Sequence, residues 1–421
     1  MPSSRPSLKG DDALDNDIKS ALACLKKGQS PGKREFLQEI SVGTAFMLDF
    51  WREKYLAEYL ARGGSKIKFL TGRSGSGKTH FLEMLALEAE NMGYIPVKLS
   101  AREVWIHDFK EIYSAVLHQV NLLERLKLCS HEIIRQVGYD PEAIPQDMTL
   151  VDYLASQGKL DPLTKLEIRQ QLNQLFLSNP LIDNNFALAC ALLTGSIMGH
   201  PTLEESSCRL LQLWLEGNRE ARLPSIRRLG LSPSKVTKYN ARHMLRSLVE
   251  ICRLAGYKGL IISIDELDIL VRKDDMPELR YTRMKREDAY ESIRELIDEI
   301  DTLKCVMFVF SFDRRLMDDD RWGLKSYPAL WMRIQNEIEG ERFNRFADIV
   351  DLDRLVDEVY TPDKIVEMST RLARLINRYD EGARPLSLST AEELYARARF
   401  GKVSLPRRVI LSTLQGGVEE Q

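Results

Sequence analysis

The stretch GRSGSGKTH at residues 72–80 constrains the fold of this chain more than any other segment. It follows the short apolar run KIKFL (66–70) and leads into HFLEMLALEAENMG (80–93), where apolar residues recur at helical spacing before a glycine. A strand, a glycine-rich turn and a helix in this order are the setting of a P-loop, or Walker A motif. The same letters in a chance glycine-rich turn would lack these flanking elements.

The residue types of the loop match the chemistry of phosphate binding. Its glycines let the backbone curl, so that N–H groups at a helix N-terminus converge on phosphate oxygens. Lys78 is expected to reach the β- and γ-phosphates of a nucleotide, and the Thr79 hydroxyl to hold Mg²⁺. The predicted nucleotide-binding residues of this stretch are Gly72, Gly75, Ser76, Gly77, Lys78, Thr79 and His80.

A second motif narrows the choice among nucleotide-binding proteins. IISIDE (261–266) places two carboxylates at the end of an apolar strand, where ligands bind in open α/β sheets. Asp265 is predicted to steady the Mg²⁺ with Thr79, and Glu266 to orient an attacking water as the catalytic carboxylate beside Lys78. An acidic turn that merely caps the next helix is the structural alternative. No Asn-Lys-x-Asp segment is present to read guanine, so ATP is favoured over GTP.

Three functions remain open on these residues. An ATP hydrolase uses Glu266 directly. A scaffold that senses ATP with negligible hydrolysis has no need of that carboxylate, and a P-loop kinase has no need of a water-orienting group either. The sequence favours the hydrolase.

Six further polar residues are candidates for a nucleotide site, either in this chain or in a neighbouring subunit. Ser311 ends the apolar run CVMFVF (305–310), where a hydroxyl could contact the γ-phosphate, although serine also closes strands for turn reasons. Arg407, with Arg408, lies in the first turn of the last predicted helix, where a nearby phosphate would offset the unfavourable helix dipole. Arg333 and Arg345 are candidate arginine fingers that reach a neighbouring subunit, and Arg342 is a third arginine of the same segment.

Strands that alternate with helices predict a parallel sheet covered on both faces, in an α/β P-loop NTPase fold. Residues 103–238 show helical periodicity with hardly any strand signal, which predicts a large helical insertion. Helix signals near Thr361-Pro362 and Ser404-Leu405-Pro406 predict a small helical lid. The predicted units are an N-terminal arm (1–33), the ATPase core (34–102 and 239–360), the insertion (103–238) and the lid (361–421).

Composition excludes several classes of protein. Hydrophobic residues at 44% and charged residues at 29% fit a globular chain, and the net charge of −2 gives no overall attraction to nucleic acid. The six cysteines show no paired spacing, which favours free thiols in a reducing compartment. Neither a signal peptide nor a membrane-spanning run is predicted, so we expect a cytoplasmic protein that makes no membrane contact.

One segment departs from this neutral balance. NREARLPSIRRLGLSPSKVTKYNAR (218–242) carries seven arginines and lysines, Arg242 among them, against the single acid Glu220. Such a run can contact the phosphates of double-stranded DNA or an acidic protein face, and it can also be an ordinary solvated surface.

Several segments in order resemble a known family. SKIKFLTGRSGSGKTHFLEML is followed by LWLEGN (213–218), LAGYKGLIISIDELDIL (254–270), DAYESIRELID (288–298) and LPRRVI (405–410). This arrangement resembles the AAA+ class and, within it, the bacterial P-loop ATP-binding proteins typified by the BrxD component of BREX phage-defence systems. The resemblance covers about residues 35–415. It implies an ORC-like, AAA+-like ATPase that works as a homo- or hetero-oligomer with other defence proteins on foreign DNA.

Overall fold

The computed structural model describes residues 11–27, 29–32, 34–43, 45–271, 281–335, 345–379, 382–398 and 404–414. Five parallel strands form its central sheet, and they are β1 (Ser65–Gly72), β2 (Ile95–Ser100), β3 (Leu260–Asp265), β4 (Val306–Asp313) and β5 (Ile349–Asp351). Their order across the sheet is β2-β3-β4-β1-β5. The predicted parallel α/β fold is thereby confirmed.

The strand register sets the position of the predicted site. Gly72 at the end of β1 lies opposite Asp313 of β4, and Ser100 at the end of β2 lies opposite Asp265 of β3. Because parallel strands run in one direction, their carboxyl ends share one edge, the edge where open α/β sheets bind ligands. The glycine-rich loop and the acidic pair therefore meet there.

The first part of the chain covers one face of the sheet. Trp51 and Phe81 pack there against Leu70, Met307 and Val309 of the central strands. The helices of this part are α1 (Asp11–Lys26), α2 (Arg34–Ile40), α3 (Ala45–Phe50), a π-helix (Trp51–Leu60) and α4 (Lys78–Asn91).

The helical spacing of residues 34–64 predicts one continuous helix, and the structure breaks it after Ile40. Gly43 has a φ of +84°, and a Cβ atom there would lie 2.7 Å from the ring of Tyr360. The Tyr360 hydroxyl also donates a hydrogen bond to the carbonyl of Val42. The break is thus held by a residue more than 300 positions away, which local periodicity does not reveal.

Between β2 and β3 the chain is helical, and residues 101–259, all of which are described, contain no strand. Buried side chains of this insertion, such as Phe109 and Phe186, form one continuous core with Phe69 and Phe308 of the sheet. The insertion therefore covers the second face of the sheet. The helices between β2 and β3 are α5 (Phe109–Val120), α6 (Leu122–Gln136), a 3₁₀ turn (Pro141–Ala143), α7 (Leu150–Ser156), α8 (Pro162–Leu172), a π-helix (Asn173–Leu177), α9 (Asn184–Met198), α10 (Glu205–Leu215), α11 (Leu223–Arg227) and α12 (Ala241–Leu254), of which α12 follows the predicted insertion.

After β3 the chain alternates between helices and the last two strands. The elements are a 3₁₀ turn (Leu267–Leu270), α13 (Arg283–Glu299), a second 3₁₀ turn (Ile300–Thr302), α14 (Arg315–Asp318), a third (Leu324–Ser326), α15 (Pro328–Ile334) and α16 (Leu352–Val359).

The C-terminal helices form a separate small core. They are α17 (Pro362–Ile376), α18 (Leu388–Ala398) and α19 (Leu405–Leu414). Thr361 caps α17 by accepting a hydrogen bond from the backbone of Lys364. Leu25 of α1 is buried in this cluster, so part of the predicted N-terminal arm is a helix packed on the C-terminal helices. In the described ranges, no helix has both the length and the apolar character needed to cross a bilayer.

Candidate functional site

The glycines of the loop after β1 adopt conformations that other residues rarely take. Gly75 has a φ of +80° and Gly77 a φ of +91°, both in the left-handed region. A Cβ atom at Gly75 would lie 2.4 Å from Cβ of Arg407, the predicted sensor arginine of α19. Arg407 also donates to the Ser74 hydroxyl over 3.3 Å. Glycine at 75 therefore allows the last helix to rest on the loop.

Lys78, the first residue of α4, lies inside the loop that it follows. Its Nζ atom donates to the carbonyl oxygens of Gly72 and Arg73 over 2.8 and 3.0 Å. Burial lowers the pKa of Lys78, and the nearby carboxylates of Asp313 and Asp265 raise it in part. An anion at the mouth of the loop would stabilise the charged form of this lysine.

The predicted metal ligands are in direct contact. The Thr79 hydroxyl donates to Oδ2 of Asp265 over 2.7 Å, which joins the start of α4 to the end of β3. Oδ1 of Asp265 accepts a hydrogen bond from the backbone N–H of Glu266 over 2.8 Å. Both carboxylate oxygens of Asp265 thus accept a hydrogen bond at the carboxyl edge of the sheet, which fixes the orientation of this side chain.

Glu266 follows β3 with a φ of +63°, a left-handed conformation that costs a residue other than glycine about 1–3 kcal/mol. The Ser100 hydroxyl donates to its Oε2 over 2.7 Å, and Nε of Arg102 forms an ion pair with its Oε1 at 2.8 Å. Neither Ser100 nor Arg102 was predicted from the sequence. A polar residue that closes the strand beside the acidic motif is the signal that could have indicated Ser100.

These residues line a cavity of about 780 Å³, within the range of small-molecule sites in proteins. One end of the cavity is polar and includes the loop, Asp265 and Glu266. The other end is apolar and lies between α2, α17 and α19. Its apolar lining residues are Ile40, Val42, Val356, Tyr360, Met368 and Ile410. None of these apolar residues was predicted from the sequence, because they come from four distant segments.

His80 connects the two ends of the cavity. Its Nε2 atom lies 2.7 Å from the hydroxyl of Ser41, in the segment that separates α2 from α3. Burial lowers the pKa of His80 to about 4, so the imidazole is neutral at pH 7. His80 therefore links the first turn of α4, beside the loop, to the segment that also carries Val42 of the apolar end.

A buried carboxylate fixes the loop from the other side. Asp353 of α16 accepts a hydrogen bond from the backbone N–H of Arg73 over 2.7 Å and lies 3.3 Å from its Nε. The Arg73 guanidinium also donates to the carbonyl of Ala398 at the end of α18. This contact links the loop to the C-terminal helices, and it too was missed from the sequence.

Ser311 lies inside β4, because the strand continues to Asp313. Its side chain is fully buried. In parallel pairing Ile264 lies opposite Phe310, so one further step brings Ser311 beside Asp265 on the same face. The Ser311 hydroxyl has no hydrogen-bond partner within the described residues. Its position beside Asp265 is thus compatible with the predicted contact with a phosphate, which stays a prediction.

The candidate arginine fingers have different surroundings. Arg333 forms a two-fold contact with Asp298, Nε to Oδ1 at 2.5 Å and Nη2 to Oδ2 at 2.9 Å. Arg345 is exposed, and its guanidinium carbon lies 5.4 Å from the ring centre of Phe46. Arg342 lies outside the described residues. Neither described arginine belongs to the cavity of its own chain.

Of the seven cations in the basic run of residues 218–242, one is not on the surface. Arg242 is only 7% exposed and pairs with Glu299 at 2.6 Å and with Glu295 at 2.8 Å. Its charge is neutralised on α13, so it does not belong to an exposed basic surface. Sequence position alone does not show which face of α12 it occupies.

The residues present fit a nucleotide with Mg²⁺. The loop supplies N–H groups at the start of α4, and the cations Lys78 and Arg407 line the same cavity. Asp265, Glu266 and Asp313 line the same cavity, and a polyphosphate among carboxylates requires a cation to balance its charge. The apolar end has the character that a base requires.

Comparison with protein families identifies this chain. The family model described as "BREX system ATP-binding protein BrxC/D" matches residues 15–411. Comparisons with curated proteins and with solved structures gave no match. Because the family model spans nearly the whole chain, the protein belongs to the BREX ATP-binding family BrxC/D.

Proposed function

We propose that this BREX-family ATP-binding protein is a Mg²⁺-dependent ATP hydrolase. The observation that carries the proposal is the contact of Thr79 with Asp265 at 2.7 Å, with the carboxylate of Glu266 next to it on the same cavity. A protein that only binds nucleotide needs the first pair but gains nothing from a second carboxylate on a strained turn.

Each residue has a role in this proposal. The loop and Lys78 hold the phosphates, and Thr79 and Asp265 hold Mg²⁺, which when bound neutralises charge on the phosphate oxygens. Glu266 accepts a hydrogen bond from the attacking water and orients it, and Ser100 and Arg102 fix that carboxylate in place. Ser311 and Arg407 contact the phosphate end, from β4 and from the lid.

The alternative is a scaffold that senses ATP and hydrolyses it negligibly. One observation favours it: both carboxylate oxygens of Glu266 already have partners, Ser100 and Arg102. A carboxylate has about four acceptor positions, so two partners leave room for a water. We therefore retain hydrolysis as the main proposal.

We further propose that the protein acts as an oligomer in which Arg345 completes the site of a neighbouring subunit. Exposure of Arg345 supports this choice, whereas Arg333 is held by Asp298 in its own chain. A finger must reach across an interface, and the contact of Arg345 that the described residues show is with the ring of Phe46, not with a carboxylate.

Membership of a BREX family implies partners among the other proteins of such a system. We propose that turnover of ATP drives their assembly or remodelling on DNA, in the cytoplasm. All six cysteines are free thiols, which supports a reducing compartment.

The test is phosphate release from ATP by the purified chain and by Glu266→Gln, with ATP binding measured by calorimetry on both. The proposal expects turnover to fall about 100- to 10,000-fold in the variant while the affinity for ATP is kept. Tight binding without turnover in the wild type, alone and with its BREX partners, would support the sensing scaffold instead.

A further inference from the structure

Six exposed cations lie close together in sequence between α10 and α12. We call residues 219–239 the basic ribbon. Glu220 is its only acidic residue. No carboxylate in the described parts of the chain pairs with any of the six. They are Arg219, Arg222, Arg227, Arg228, Lys235 and Lys238.

The basic ribbon is ordered, because its apolar residues anchor it. Ile226, Leu231 and Val236 are buried in the core of the insertion, while the charged side chains between them face outward. Backbone groups are anchored as well: the Trp214 indole donates to the carbonyl of Ser234 over 2.8 Å, and the N–H of Ser232 donates to Asn185 over 2.8 Å. The backbone that carries the six exposed cations is thus held in place by the insertion.

This arrangement contrasts with the charge pattern elsewhere on the chain. Several exposed arginines on helices pair with an acidic neighbour, as Arg283 does with Glu287 and Arg371 with Glu367. Six like charges without such neighbours repel each other, so the free energy of this surface falls when a polyanion binds. The net charge of −2 for the whole chain shows that the excess is local.

Two features beside the ribbon favour nucleic acid over an acidic protein. Tyr239 is 76% exposed at its end, with the ammonium group of Lys238 5.4 Å from its ring centre, and exposed aromatic rings beside cations suit nucleotides. A cavity of about 330 Å³ is lined by Ser234 of the ribbon and by His243 and Arg246 of α12. Nε of Arg246 is buried without a hydrogen-bond partner among the described residues.

That cavity also contains one carboxylate, Asp183. Its Oδ1 accepts hydrogen bonds from the backbone of Asn185 and Phe186 at the start of α9. Asp183 therefore serves as a helix cap, and the donors of Arg246 and His243 set the character of the cavity. A phosphate oxygen suits such a group of donors.

We propose that the basic ribbon binds the phosphodiester backbone of DNA. The inference deepens the proposed function, since it names the surface through which the ATPase would contact DNA. It does not depend on hydrolysis, because none of these residues lies in the nucleotide cavity.

The test is fluorescence anisotropy of a labelled duplex of random sequence with the full chain, over a series of salt concentrations. Each phosphate contact contributes about −0.9 to the slope of log affinity against log salt, so six contacts give a slope of about −5. A variant with Arg227, Arg228, Lys235 and Lys238 changed to Ser is expected to reduce that slope by about 3.6. The matched control changes four exposed cations of the insertion outside the ribbon, namely Lys127, Arg135, Lys159 and Arg169.

The proposal expects the control to bind like the wild type. Equal slopes for the ribbon variant and the wild type would overturn it, as would a wild type that binds ATP but binds neither duplex nor single-stranded DNA. A single strand of the same length gives a slope of about −0.7 per phosphate contact. Binding of either form of DNA supports the phosphodiester contact, and the comparison of the two identifies the preferred form. Polyglutamate that binds as tightly as DNA through the same four residues would instead indicate an acidic protein partner. ATP turnover measured on the same samples separates failure of the ribbon from failure of the hydrolase.

Discussion

Nε of Arg102 lies 2.8 Å from Oε1 of Glu266, while the Ser100 hydroxyl holds Oε2 of the same carboxylate at 2.7 Å. Ser100 ends β2, and Arg102 lies in the turn two residues later, so both partners come from the end of the neighbouring strand and the turn that follows it. The orientation of Glu266 therefore depends on the neighbouring strand as much as on its own turn.

Removal of the Arg102 side chain should misalign Glu266 without affecting ATP binding. Because a misplaced catalytic group costs rate, we expect Arg102→Ala to lower kcat by about tenfold or more at an unchanged affinity for ATP. Arg102→Lys keeps the charge but lacks the planar guanidinium, so its kcat should lie between those of the wild type and the alanine variant. Steady-state kinetics and calorimetry measure both quantities, and a rise in kcat for the alanine variant would show that Arg102 restrains Glu266 instead.

Gly75→Ala should weaken the contact between the loop and α19. The new Cβ would lie 2.4 Å from Cβ of Arg407, and the φ of +80° adds about 1–2 kcal/mol of backbone strain. We expect a lower thermal midpoint and an ATP affinity reduced by tenfold or more.

Gly256→Ala is the control for Gly75→Ala, because Gly256 has a φ of +94° and no atom lies within 4 Å of the position that a Cβ would take there. It should lower the thermal midpoint by a similar strain while ATP binding stays intact. Equal ATP affinity in both variants would mean that the packing of Arg407 against the loop does not matter for binding.

His80 should make the fold sensitive to acid. Its pKa is about 4 in the folded chain and about 6.5 when unfolded, so the unfolded state takes up a proton first. Its contribution to stability is present above pH 6.5 and is lost as the pH falls from about 6.5 to about 4, by at most about 3 kcal/mol.

The measurement for His80 is the urea midpoint at a series of pH values, for the wild type and for His80→Asn, which cannot titrate. We expect a smaller loss of stability in the variant across this window, and His118→Asn, at an exposed position, should behave like the wild type. An identical pH profile for His80→Asn and wild type would contradict the assignment.

Arg345 should act across a subunit interface. Arg345→Ala is expected to lower turnover at least about 1,000-fold, as loss of an arginine finger does. Mixing it with Glu266→Gln subunits should restore part of the activity, since each variant supplies the group that the other lacks. Arg333→Ala, which loses the contacts with Asp298 and with the carbonyl of Ala329, should keep turnover and lower stability. Activity of the mixture equal to the sum of its components would exclude action in trans.

The features for which the sequence supplies a prediction are local. The loop around Lys78 and the acidic pair after β3 are each contained in a few consecutive residues, and alternating strands and helices predicted the parallel sheet. The folding of α1 onto the C-terminal helices depends on contacts between chain ends, which periodicity does not record.

The missed parts of the candidate site are all assembled from distant segments. Ser41 and Val42 lie in a break held by Tyr360, and Asp353 reaches the loop from 280 residues away. Likewise, the charge of Arg242 was visible in the sequence, but its burial against α13 was not. Residue type and spacing predict what a site contains only where the chain itself brings the residues together.

The most direct test of the central claim, that Glu266 is the water-orienting group of an ATP hydrolase, is a single-turnover experiment with protein in excess over labelled ATP and with Mg²⁺ present. Glu103→Gln is the matched control, since Glu103 is another carboxylate lining the same cavity. We predict that wild type and Glu103→Gln convert bound ATP to ADP at similar rates and that Glu266→Gln is slower by at least about 100-fold. Equal rates in all three proteins, or bound ATP that stays intact in the wild type, would contradict the claim.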